Sequence, residues 1–327
     1  MTSYDAACLP NTPGRLVTFG ESMGLISTSD IGPIDFARTF RYGIGGAESN
    51  VAIGAARLGA PVTWVGRLGC DSTGDMIVRR LRAEGVRMHV VRDGYTGLML
   101  RHQWVAGHFS VDYHRAGSAG SRFCATDIPD ELLAGAAILH LTGITPALSE
   151  SARRAVFDAT ERARALGLTI CFDVNYRAKL WEPAMARPVL RALAERSDIL
   201  MAGPDEARLL LGDADAEHEH ALLQRLAALG PSEVIVRDGP RGCSALIDGA
   251  DFRLPAPGVL VVDPVGAGDA FAAGYLADRL AGELPEVRLR TAIMAGAFAV
   301  GVPGDCEGLP RRHELVALGG QLEDAIR

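Results

Sequence analysis

From residue 127 onward, apolar and polar positions alternate between two periods. Short apolar runs over 137–141, 168–174, 198–202, 233–237 and 244–247 have the length of buried strands. Between them, residues 149–166, 183–195, 204–211 and 218–229 space their apolar side chains as helices do, and a short helix from 127 reaches about 134. Ser149 stands where an N-cap is expected and Gly212 where a helix stops. Strand and helix taken in turn predict a doubly wound parallel sheet covered by helices on both faces.

The first third is less regular. A strand is expected over 16–20, a helix from Gly45-Gly46 to 58 ended by Gly59, a strand over 62–66 and a helix over 72–84. Around these lie two groups of short strands. One falls within 24–45, with Phe36, Phe40 and Tyr42; the other within 88–115, where 97–105 and 108–114 are expected to form a hairpin turning at Ala106-Gly107. They predict a small second sheet. Tyr113 and Arg115, two apart, would share a strand face, fit either to hold a sugar or carboxylate or simply to meet solvent.

The stretch 258–274 concentrates candidate chemistry. An apolar run over 258–262 gives way to Asp263-Pro264-Val265-Gly266-Ala267-Gly268-Asp269, and an alanine-rich helical pattern begins at Asp269. Paired glycines allow a tight turn whose N–H groups converge, and the helix behind it adds free donors and partial positive charge. Such a turn suits a phosphate. Asp269 beside it is read either as an N-cap or as a base that takes a proton from an attacking hydroxyl. In a doubly wound sheet, ligands gather at strand carboxyl ends. Asn175-Tyr176-Arg177, Arg237-Asp238-Gly239 and the 263–269 loop are all expected there, which predicts a single site.

Composition narrows the classes. The 327 residues suit one large domain, placed at 15–315, behind a leader over 1–14 expected to be flexible. A net charge of −7 with interspersed signs gives no basic patch for nucleic acid or an anionic membrane. No apolar stretch reaches the ~18 residues of a membrane span. Six scattered cysteines without a CxxC pair argue for a reduced, cytoplasmic protein rather than a metal site or disulfide framework. His218 and His220, two apart on a helix, do not share a face. There is no GxxxxGK[ST] motif, and Gly43-x-Gly45-Gly46 is a poor match to a dinucleotide fingerprint.

Four stretches occur together: 45–50 (GGAESN), 66–74 (GRLGCDSTG), 173–177 (DVNYR) and 263–269 (DPVGAGD). In this combination the chain resembles the pfkB (ribokinase-like) carbohydrate kinases, with Pro264 where the DTxGAGD signature has Thr. Residues 113–119, 141–149, 180–181 and 304–308 are similar to the 2-keto-3-deoxygluconate kinase subgroup. The resemblance implies a ribokinase-like α/β/α sandwich with a small β-sheet lid, and transfer from MgATP to the terminal hydroxyl of a six-carbon keto-acid. It implies Asp269 as base, with Gly266, Ala267 and Gly268 donating to the phosphoryl group. Gly46, Ala47, Asn50, Tyr113, Arg115 and Asp305 would hold the sugar acid. Asn175 and Arg177 would face ATP phosphates, and Arg237, Gly239 and Gly242 would shape the nucleotide pocket. Glu206 is what remains of an Asn-x-x-Glu motif tied to Mg²⁺, and Met99 stands where relatives can carry a tyrosine. A homo-oligomer through the lid is implied by analogy. The rival readings are another pfkB sugar kinase (a fructokinase, a ribokinase-like enzyme or a 2-keto-3-deoxygalactonate kinase) and a catalytically silent sugar-acid sensor.

Overall fold

The structure, a computed structural model, describes residues 14–105, 108–212, 219–316 and 318. Nearly all of the expected leader, the Ala106-Gly107 turn and His218 lie outside them. The chain opens with β1 (Arg15–Phe19), leaves the body for β2 (Met23–Ile31) and β3 (Phe40–Gly45), and returns through α1 (Ala47–Arg57). β4 (Val62–Leu68), α2 (Ser72–Ala83) and β5 (Arg87–Arg92) follow, and a second excursion forms β6 (Leu98–Val105) and β7 (His108–His114). The alternating part comprises α3 (Asp130–Leu133), β8 (Ala136–Thr142), α4 (Thr145–Leu148), α5 (Glu150–Ala165), β9 (Thr169–Asp173), α6 (Pro183–Ala194), β10 (Ile199–Ala202), α7 (Pro204–Leu211), α8 (Glu219–Ala227) and β11 (Glu233–Arg237). The hairpin β12 (Cys243–Ile247) and β13 (Ala250–Leu254) precedes the helices α9 (Ala267–Leu280) and α10 (Pro285–Ala299).

Nine strands form one sheet in the order β13-β12-β11-β10-β9-β8-β1-β4-β5, parallel from β11 to β5, with the hairpin antiparallel at one edge. Each face carries an apolar core. One packs Trp64, Ile77 and Ile138 against Ala273 and Leu276 of α9; the other packs Phe172 and Leu200 against Val156 of α5 and Leu190 of α6. Parallel strands buried on both faces explain why these runs read as continuous apolar stretches. The strand order reverses between β1 and β8, where an α/β sheet opens a crevice.

The second sheet, β3-β2-β6-β7, has four strands and a small apolar patch of Met23, Leu25 and Met99. Residues 88–115 do not all belong to it: β5 pairs with β4 in the large sheet, and only β6 and β7 join the lid. A second correction concerns residues 258–262, which form no strand and leave Leu260 and Val261 exposed. The 263–269 loop is therefore not at a strand's carboxyl end. It is held instead by the amides of Val262 and Asp263 on the Val300 carbonyl after α10.

Candidate active site

The site's floor is a contact between two helices. Gly54 of α1 meets Ala273 of α9 so closely that a Cβ on Gly54 would lie 2.7 Å from the Ala273 Cβ. One turn earlier on each helix, at i−4, stand Asn50 and Asp269. The close approach brings them together, and Asn50 Nδ2 donates to Asp269 Oδ2 at 2.8 Å. α9 begins at Ala267 with Gly266 as its N-cap, so Asp269 is the third helical residue and not the cap. That removes the capping explanation for its carboxylate.

Gly266 has φ +80, and a Cβ there would sit 2.4 Å from the Asp305 carbonyl oxygen, so only glycine fits. The first intrahelical bond runs from Ala270 N to Gly266 O, which leaves the amides of Ala267, Gly268 and Asp269 without intrahelical acceptors. Gly266, Gly268 and Asp269 line a cavity of about 460 Å³ beneath the lid; Ala267 does not.

Asp269 is 6 % exposed. Burial, reinforced by Asp305 and Asp173 and opposed by Asn50 and Arg177, pushes its carboxyl up to about 7. Asp305 is likewise raised by burial, and Asn50 bridges the pair by donating to Asp305 Oδ2 at 3.2 Å, as does the Gly46 amide. Asn175, just past β9, donates to Asp269 Oδ1 at 3.4 Å from a backbone with φ +37, a conformation non-glycine residues seldom adopt. A poised acid, fixed by two amides beside free helix N–H groups, can take up a proton and face an anion.

Arg237 ends β11 but is not free for a ligand. It grips Asp173 with two bonds, of 2.9 and 2.6 Å, and donates to the Gly268 carbonyl at 3.1 Å. Burial works against its charge, yet Asp173 and Glu206 more than compensate and raise its pKa. Glu206 lines the cavity, but Oε1 accepts the Tyr176 amide and Oε2 the Gly203 amide. Gly239 and Gly242 lie on the β11–β12 turn and do not line this cavity. Arg177 does, as an exposed side chain acting electrostatically on Asp269 and Asp305.

Gly46, Ala47, Tyr113 and Arg115 join the same cavity. β7 ends at His114, so Arg115 reaches its place from the following turn, with its guanidinium 5.4 Å from the Tyr113 ring centre. It forms an ion pair with Glu21, a buried residue after β1 that also accepts the Ser118 hydroxyl at 2.6 Å. The expected lone cation is thus half of a neutralised pair. Glu48 lies below, its carboxyl raised by burial and its Oε1 accepting the Thr142 and Thr145 hydroxyls. Sequence reasoning did not assign Glu21, Glu48, Arg101 or Lys179 to the site, although all four line the cavity. Strand alternation was the available signal for Arg101, because it shares a β6 face with Met99. For the others no local pattern marks the role.

A three-layered α/β/α body and a β lid, closed over a glycine turn and a poised carboxylate, define a sugar kinase of the ribokinase-like fold. The chain belongs to the pfkB family of carbohydrate kinases, whose pattern covers residues 14–312, and it is a phosphotransferase. It is similar to the 2-dehydro-3-deoxygluconokinase of Thermoproteus tenax, 36 % identical over 310 residues and 93 % of each chain. It is also similar to the 2-dehydro-3-deoxygalactonokinase of Haloferax volcanii, 34 % identical over 94 % of this chain and 97 % of that one. A putative ribokinase II from Escherichia coli, solved with ATP and Mg²⁺, superposes with a TM-score of 0.87 at 27 % identity, covering 94 % of this chain and 99 % of the other.

Proposed function

We propose that this kinase transfers the terminal phosphoryl group of ATP to the 6-hydroxyl of 2-keto-3-deoxygluconate. The observation that carries the reading is Asp269, a buried acid poised near pH 7 at the third position of α9, under a lid that presents Tyr113 and Arg115. Asp269 accepts the proton of the acceptor hydroxyl as its oxygen bonds to the γ-phosphorus and the bond to ADP breaks. The amides of Gly266, Ala267 and Gly268 meet the charge that develops on the phosphoryl oxygens. Gly46, Ala47, Asn50 and Asp305 hold the sugar's hydroxyls. Tyr113, Arg115 through its buried, unpartnered Nε, and the lid around them take the carboxylate end. Asn175 and Arg177 face the nucleotide phosphates, while Arg237, with Gly239 and Gly242 further out, shapes the nucleotide side.

The residues fit Mg²⁺ only at second hand. Both Glu206 oxygens are taken by backbone amides, and no group of three or more metal-binding side chains exists among the described residues. Glu206 would therefore act on the ion's water shell, and the ion would supply charge neutralisation between the phosphates.

Large apolar side chains exposed on the lid segments, among them Ile31, Phe36, Phe40 and Trp104, support a homo-oligomer that pairs there. Among the described residues no helix is long and apolar enough to cross a membrane, and the described cysteines are free, in keeping with a cytoplasmic setting.

An ADP-release assay across a panel of 2-keto-3-deoxygluconate, its galactonate-derived epimer, fructose and ribose tests the substrate. A kcat/KM for the keto-acids more than about tenfold above the neutral sugars is expected, because donors built for a carboxylate lose their partner with a neutral sugar. Faster turnover of fructose or ribose would overturn it. The Haloferax similarity makes the epimer a second substrate to measure in the same assay.

A further inference from the structure

Arg101 comes from β6 of the lid, yet its side chain is only 6 % exposed. Its Nη2 lies 2.8 Å from Asp263 Oδ2, and the Asp263 side chain is 2 % exposed. Asp263 accepts two backbone amides as well. The Val265 amide reaches Oδ1 at 3.1 Å and the Gly304 amide reaches Oδ2 at 3.1 Å. Val265 leads into the turn that carries Gly266 to Gly268; Gly304 leads into the loop that carries Asp305. One buried carboxylate thus holds both loops flanking Asp269, and its ion-pair partner among the described residues is a lid side chain.

The rest of the lid patch is apolar, with Met23, Leu25 and Met99 buried beside Val111. Apolar contacts alone could close such a sheet, and a buried ion pair adds little net stability over apolar packing. What it does add is a preference for one position, since moving the lid away parts Asp263 from its countercharge. Arg101 also stacks 5.5 Å over the Phe109 ring of β7, so the guanidinium is held between a ring of the lid and the Asp263 carboxylate of the body.

Resting on the kinase reading above, we propose that Arg101 is a positioning residue: through Asp263 it aligns the 264–268 turn and the Asp305 loop with the shut lid, so that phosphoryl transfer proceeds only when the cavity is covered. Arg101 does not itself bond to the transferred group.

The experiment is a steady-state double-mutant cycle on the full chain with Arg101→Gln, Asp263→Asn and both together, plus Arg101→Lys. Arg101→Gln is expected to cut kcat on the order of 10²-fold, as slight misplacement of catalytic groups does. KM for ATP and for the sugar should hardly move, the pattern of an interaction felt only in the transition state. The double variant should lose no more than either single variant, because both sever one link. Arg101→Lys, which keeps the charge without the planar fork, should regain roughly a tenth of wild-type kcat. If Arg101→Gln does not fold, judged by its thermal melt, Arg101→Lys against Asp263→Asn decides by the same split of kcat from KM. A raised sugar KM with intact kcat would make Arg101 a direct ligand and overturn the proposal, as would losses that multiply in the double variant. Should wild type prefer another sugar, the substrate reading fails while this cycle is run unchanged on that sugar.

Discussion

Asp269 on the cavity floor and Arg115 on its roof are both charged, both largely buried and both close to the same ligand space, yet they are positioned differently. Asp269 owes its place to helix register: α1 and α9 meet at Gly54 and Ala273, and one turn back the carboxylate faces Asn50. Nothing short of separating two packed helices moves it. Arg115 owes its place to one ion pair with Glu21 and a ring contact with Tyr113, while the lid as a whole touches the body through individual side chains. Lys179 donates to the Val111 carbonyl at 2.6 Å, and the Tyr42 and Thr73 hydroxyls meet at 2.5 Å. The floor is fixed by helix packing; the roof is fastened by individual side-chain bonds, the arrangement that the proposed phosphoryl transfer would ask of a cover.

The sharpest way to break this comparison is Asp269→Asn. Without a base, kcat should fall roughly 10²–10⁴-fold while ATP still binds, as measured by ADP release and by calorimetric titration. Retention of more than about a tenth of wild-type turnover would remove the base assignment. The same carboxyl fixes two pH effects. If Asp269 is the proposed base it acts ionised, so kcat/KM of wild type should climb as pH rises through about 7. For stability the sign is opposite. A folded-state pKa raised above the unfolded value means that the carboxyl's favourable contribution is complete below about 4 and is lost as pH rises through about 7. Asp269→Asn, which cannot ionise, should therefore melt higher than wild type at pH 8, by up to roughly 4 kcal/mol in stability. The floor would thus be functionally ruined and structurally improved by one substitution, as strained active sites allow.

On the roof the expected effects are smaller and differently divided. Arg115→Ala leaves Glu21 buried without its cation, a change that costs about 3–5 kcal/mol when the pair is fully enclosed. Arg115 keeps some contact with solvent, so the lower end applies. KM for the sugar acid should rise about tenfold with ATP KM unchanged, one charge-assisted hydrogen bond being worth roughly 1.5–3 kcal/mol before water competes. The pair Arg115→Ala with Glu21→Gln should recover most of the stability and none of the affinity. Recovery of affinity would show that Arg115 serves the fold alone.

The floor is also the part that a reader of the sequence could anticipate. Gly266 flags itself, because a turn needing φ +80 and close approach to Asp305 admits no other residue, while a Cβ on Gly268 would come 3.2 Å from the Arg237 guanidinium. The alternating segments after residue 127 fall into β8 to β11 with their helices because strands covered on both faces have no polar side to blur the pattern. What stayed hidden has physical reasons. α9 starts two residues before its apolar pattern does, since glycine and alanine at its first turn carry no periodicity, and those two residues separate a cap from an uncapped, poised acid. β5 resembles a lid strand because it lies at a sheet edge, half-buried throughout. β13 escaped notice although Asp248-Gly249 marks its hairpin, for its side chains lie mostly exposed at the opposite edge. The Arg115–Glu21 and Arg101–Asp263 pairs join residues 94 and 162 positions apart, which no local pattern encodes.

Glu206 offers the smallest effect and lies where floor and nucleotide side meet. Its carboxylate closes a capping arrangement at the start of α7, accepting the Gly203 amide at 2.6 Å, and reaches across to the Tyr176 amide at 2.8 Å, which steadies the turn holding Asn175. Burial raises its pKa and Asp173 adds to this, with Arg237 opposing. Glu206→Gln can satisfy one of the two amides through its carbonyl, while its own N–H₂ group must face the other. The cost should be near 1 kcal/mol, a fall of about 1–2 °C in Tm for a chain of this size. If the residue acts on Mg²⁺ only through water, the concentration of Mg²⁺ giving half-maximal activity should shift by no more than a few-fold. A shift of tenfold or more, about 1.4 kcal/mol of lost binding, would instead make Glu206 a direct ligand that gives up its backbone amides when the nucleotide arrives. It would then belong to the movable part of the site, and the fixed floor would shrink to the helix pair that carries Asn50 and Asp269.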